Sequence, residues 1–165
     1  MSIALQIFMM IQMLFVQSPE LSQAYESLPT NQQAEIVQYI GRFEVVDRLK
    51  GENSYAQIVP VSAGGEGCRV VYVSKDILSN PARIKSAMIH EKEHCKFYQA
   101  RLLGGKLKGD ASDYGSEYII RISTLIASAE VDTETNLEAY SQWWDVWFLT
   151  KLFMNFNPAI RFPEE

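Results

Sequence analysis

The sequence predicts an α+β fold, a short β-hairpin set between helical segments. Two observations carry this: a pair of β-rich stretches joined by a glycine-rich loop, and long runs of helical periodicity on both sides of them. A third is size. A chain of 165 residues, 47% hydrophobic and 21% charged, suits one domain with its own core and excludes wholesale disorder. Residues 18–165 are read as that domain, with residues 1–17 as a separate apolar segment.

The segment Ile3 to Val16 is apolar except for Gln6 and Gln12 and is followed by Gln17-Ser18-Pro19. It is too short to span a bilayer comfortably. It has the length of a signal-peptide core but lacks a basic flank and a small-residue cleavage site. An export signal or membrane anchor, and a buried helix, both remain open. Export or membrane attachment is favoured over a cytoplasmic location.

From Glu20 to Lys50 the pattern is helical. Ile36, Tyr39, Ile40 and Phe43 share a face, Pro29-Thr30-Asn31 divides the run, and Gly51 ends it. Tyr55 to Val61 and Cys68 to Val73 then read as strands, joined through Ser62 to Gly67. Asn80-Pro81 is a strong helix start, with Asn80 as cap and Pro81 in the first turn. That helix is expected to reach Leu103 and stop at Gly104-Gly105. After a polar loop, Lys106 to Asp113, a second long helix is expected from Tyr114 to Tyr140. A helical tail then runs from Ser141 to Phe156.

Both histidines of the chain lie in His90-Glu91-Lys92-Glu93-His94, an H-E-x-x-H motif. On a helix it sets two imidazoles one turn apart on one face. Such a pair can chelate Zn²⁺, with Glu91 as the general base that takes a proton from the metal-bound water. At about 100° per residue, Ile84, Met88, Cys95, Tyr98 and Leu102 form an apolar stripe that also holds Glu91. Lys85, Lys92 and Lys96 form a solvated face. His90 and His94 lie between the two, accessible to a metal, and Glu93 is a spacer.

A catalytic zinc takes three protein ligands. With no third histidine, the remaining ligand is expected to be a carboxylate. Glu130 is placed in a row with Ile119, Ile126 and Leu137, an inner stripe where an unpaired carboxylate would be costly. Ala127, Ser128 and Ala129 would let that helix pack closely. Glu134 is the runner-up, as ligand or as an acceptor orienting a histidine. Cys68 and Cys95 read as buried thiols, or as a disulfide if the protein is exported.

The hairpin, the H-E-x-x-H helix and a following helix with Glu130-Val131-Asp132-Thr133-Glu134 resemble the gluzincin metallopeptidases, most closely the minigluzincin and CAAX-prenyl-protease types. The stretch from Asn53-Ser54-Tyr55-Ala56 through Val71-Tyr72-Val73-Ser74-Lys75-Asp76-Ile77-Leu78 is similar to the edge strands that precede the family's active-site helix. The resemblance covers roughly Tyr55 to Tyr140 and implies a zincin-like fold. It also implies a zinc-dependent peptidase with His90, His94 and Glu130 as ligands and Glu91 as base. Glu134 and Thr133 depart from the aspartate and alanine of the family motif. An extended peptide or protein substrate would lie along an edge strand, for which Cys68 to Val73 is the candidate. Tyr114, Tyr118, Arg121 and Tyr140 are candidates for stabilising the oxyanion. A non-catalytic, metal-stabilised relative that binds peptides or proteins is the alternative.

The net charge of −5 and the absence of a basic stripe argue against a nucleic-acid partner. Trp143, Trp144, Trp147, Phe148, Leu149, Leu152, Phe153, Met154 and Phe156 crowd the tail. They suit a helix closing the core, a dimer contact, or a membrane-interface helix.

Overall fold

Ser18 opens the described chain as a helix cap, its Oγ accepting from the Leu21 N–H. The computed structural model describes residues 18–49, 55–59, 61, 64–103 and 114–143; at 100–103, 114–118 and 142–143 it describes the backbone. The apolar segment 1–17, the loop 106–113 and the aromatic run beyond Trp143 lie outside the described residues. Helix α1 (Pro19–Glu26) buries Leu21, Ala24 and Tyr25. Helix α2 (Thr30–Tyr39) follows after Pro29. The turn between them is tied by Gln33, whose Nε2 donates to the carbonyls of Glu26 and Leu28, and by Tyr25 Oη donating to the Gln33 carbonyl.

The helix expected to continue to Lys50 ends at Tyr39. Residues Arg42–Val46 form strand β1 instead. Gly41 is the reason the chain can turn there: a Cβ at this position would lie 2.5 Å from the Arg69 carbonyl oxygen, and the Gly41 N–H donates to the Cys68 carbonyl. Only a glycine permits that approach. Beyond it, Phe43, Val45 and Val46 favour a pleated strand over a helix.

The hairpin forms as expected, with β2 (Ala56–Ile58) antiparallel to β3 (Val70–Ser74) in the register Ala56 to Val73 and Ile58 to Val71. Cys68 does not open the strand; it sits in a 3₁₀ turn over Gly67–Arg69. β1 joins the far side of β3 in parallel, giving the order β1-β3-β2. β3 is therefore the central strand, not the edge, which accounts for the burial of Val70, Val71 and Val73.

Helix α3 (Pro81–Leu103) has the bounds the sequence predicts, and Asn80 Oδ1 accepts from the Arg83 N–H. The second long helix is broken in two: α4 (Tyr114–Ala129) and α5 (Thr133–Trp143). The break has a local cause, because Asp132 Oδ1 accepts from the Thr135 N–H and so caps a new helix. Asn136 Nδ2 clips the two helices together by donating to the Leu125 carbonyl and to Ser128 Oγ. The architecture is α+β, five helices and a three-stranded sheet among the described residues. No described helix is long and apolar enough to cross a membrane.

The lysine face of α3 is covered at Lys85 and Lys92 and stays partly solvated at Lys96. Helix α2 packs on it, and Lys92 is 0% exposed. Lys92 Nζ donates to Gln32 Oε1 and to Glu35 Oε2, both at 2.8 Å, and pairs with Glu93 Oε1 at 2.7 Å. Glu93 is thus an ion-pair partner and not a spacer. Lys85 pairs with Asp132 across to the α4–α5 turn.

Burial alone would raise the Glu35 pKa, but hydrogen bonds from Lys92 and Lys96 outweigh it and hold the carboxyl below its ordinary 4.5. Asp132 is likewise lowered: burial opposes, while Lys85 and the Thr135 N–H prevail. A depressed folded pKa contributes stability above the unfolded value and loses it as pH falls through the folded one. Stability is therefore expected to decline on acidification below about pH 4. The Glu35→Gln and Asp132→Asn variants should each flatten that decline in urea midpoints measured from pH 7 to pH 3.

Candidate functional site

The site is built on the middle of α3, where the apolar stripe meets α4. Ile84, Met88 and Cys95 are all buried, as the helical plot requires, and Glu91 is buried among them at 4% exposure. Glu91 makes polar contact there, in keeping with the cost of burying a carboxylate. His90 is not on an open face: only 3% of it is exposed, whereas His94 is half-buried. The two rings meet edge to face, 4.6 Å between centroids, with their Nε2 atoms 3.0 Å apart. One turn of helix brings them together, as the motif spacing predicts.

The covering helix supplies a residue that the sequence reading missed. Thr124 of α4 is fully buried, and its Oγ1 stands 3.1 Å from His90 Nδ1 and 2.8 Å from the Ile120 carbonyl. Threonine in a helix commonly returns its hydroxyl to the carbonyl four residues back, so Thr124 by itself gave no signal. Only the packing of α4 on α3 reveals its second contact.

Glu130 falls elsewhere. It is exposed, in the turn that follows α4. Glu134 is exposed as well, in the first turn of α5. The row meant to place Glu130 inside faces outward along α4 itself, and the helix stops at Ala129 before Glu130 is reached. Ile119, Ile126 and Leu137 are 54%, 63% and 61% exposed. Of the oxyanion candidates, Arg121 is half-buried and Tyr140 exposed, while Tyr114 and Tyr118 are described by backbone alone.

The expected zinc is corrected by this arrangement. A catalytic zinc needs three protein ligands, and among the described residues no group of three or more His, Cys, Asp or Glu side chains could hold a metal ion. The structure brings together His90 and His94, with Glu91 beside them in sequence, and leaves Glu130 and Glu134 out.

Immediately after His94, Cys95 forms a disulfide with Cys68, with 5.8 Å between Cα atoms. This is the alternative that the sequence left open beside two buried thiols. The bond ties the histidine helix to the turn entering β3. Through the Gly41–Cys68 hydrogen bond it also reaches the start of β1.

Searches of the chain against protein-family models, curated proteins and solved structures found no match.

Proposed function

We propose that the chain is a peptidase and that the His90–Glu91–His94 segment of α3 is its catalytic element. The observation that carries this reading is the pair of imidazole Nε2 atoms 3.0 Å apart, on the same helix as the buried Glu91. Sequestering such groups together is costly, and enzymes make use of that cost. In this reading a water attacks the scissile carbonyl, Glu91 accepts its proton, and the same carboxyl returns the proton to the departing amine as the C–N bond breaks. His94, the half-buried ring of the pair, is the imidazole that would meet the substrate.

Likeness to the gluzincin peptidases and a zincin-like architecture belong to the same proposal. They are supported by the order of hairpin, H-E-x-x-H helix and glutamate-bearing segment, not by a ligand set. With β3 central, the described edge strand against α3 is β2, and an extended peptide or protein substrate would pair there. The disulfide suits work in an oxidising compartment.

One observation favours a second reading, a non-catalytic module that binds a protein. Ile119, Ile122 and Ile126 follow one another at helical spacing on α4, Leu137 and Tyr140 do so on α5, and all five are exposed. Exposed apolar side chains grouped in this way are a mark of interaction sites. Incubating the full chain with a peptide library and reading the products by mass spectrometry separates the two. Cleavage at defined bonds supports the peptidase; peptides retained on the protein but uncut support the binding module.

A further inference from the structure

We infer that Thr124 is a positioning residue that sets the tautomer of His90 and, through it, the direction of the proton between the two imidazoles. A threonine hydroxyl has one proton to give. The Ile120 carbonyl, 2.8 Å from Oγ1, can only accept, so that proton is committed to it. Toward His90 the hydroxyl oxygen can then only accept, and Nδ1 at 3.1 Å must carry the hydrogen.

A neutral ring protonated at Nδ1 bears a lone pair at Nε2. That lone pair faces His94 Nε2 at 3.0 Å, so the hydrogen between the rings belongs to His94. A single buried hydroxyl thus orders a chain running from the Ile120 carbonyl through Thr124 and His90 to His94. It reaches the half-buried ring, the one a substrate would meet first. The assignment rests on these three contacts of Thr124, His90 and His94. Its consequence for hydrolysis rests on the peptidase reading.

The test is ¹⁵N-resolved NMR of the imidazoles in the full-length protein at about pH 8.5, two units above the ordinary imidazole pKa. The wild type is expected to show His90 as the Nδ1–H form and His94 as the Nε2–H form. Thr124→Val removes the acceptor and should shift His90 toward the Nε2–H form, whereas Thr124→Ser should restore the wild-type pattern. If peptides are cleaved, kcat should fall by at least about tenfold in Thr124→Val and recover in Thr124→Ser, with KM little changed. A wild-type His90 in the Nε2–H form overturns the inference, and does so even if the valine variant does not fold. An unchanged tautomer in a folded Thr124→Val protein also overturns it. A correct tautomer in a protein that cleaves nothing leaves the inference standing and sinks the peptidase.

Discussion

Replacing Lys92 with alanine is expected to destabilise the fold by about 3–5 kcal/mol, the cost of breaking a buried ion pair from one side. The ammonium has no exposed surface and is held by Gln32, Glu35 and Glu93. Its loss takes from the Glu93 carboxylate, 11% exposed, the ammonium 2.7 Å away that offsets its burial. Lys96 gives the comparison, since it reaches the same Glu35 at 3.1 Å but remains 43% exposed. Solvent screens that pair, so Lys96→Ala should cost less than about 1 kcal/mol. Urea unfolding of the two variants reads the contrast directly. Equal effects would mean that burial of Lys92 contributes nothing to the α2–α3 contact.

Loss of the disulfide is expected to cost about 3–4 kcal/mol by the chain-entropy rule. The bond closes a loop across a sequence separation of 27 and spans the sheet and the histidine helix. A Cys68→Ala/Cys95→Ala double variant tests it without leaving a reactive thiol. Denaturant midpoints should fall accordingly, and full-length protein treated with a dithiol reductant should fall with them. An unchanged midpoint in both would show that the tie between α3 and the β3 entry is not needed for stability.

The parts legible in the sequence were those governed by local chemistry. Asn80-Pro81 marks the start of α3 because capping is decided within one turn, and the motif spacing alone brings His90 and His94 together. Glu91 reads as buried because the apolar stripe of α3 is continuous. What could not be read depended on partners far away in the chain. Residues 42–46 carry helical spacing but pair with β3, and Gly41 is required there by the backbone of Arg69. Lys92 looks solvated until α2, some 60 residues earlier, covers it. The error at Glu130 lay in the choice of face: Ile119 and Ile126, on the unbroken helix upstream of it, are themselves exposed, because apolar spacing alone does not say which stripe a neighbouring helix covers. Thr124 was invisible because its role exists only across the α3–α4 interface.

The most direct measurement is kcat/KM for a cleaved peptide with the wild-type chain and with Glu91→Gln, which keeps the shape of the side chain and removes its basicity. Removing the general base should lower kcat/KM at least about a hundredfold, with the denaturant midpoint close to that of the wild type. Hydrolysis that persists undiminished in folded Glu91→Gln protein would contradict the assignment of this helix as the catalytic element.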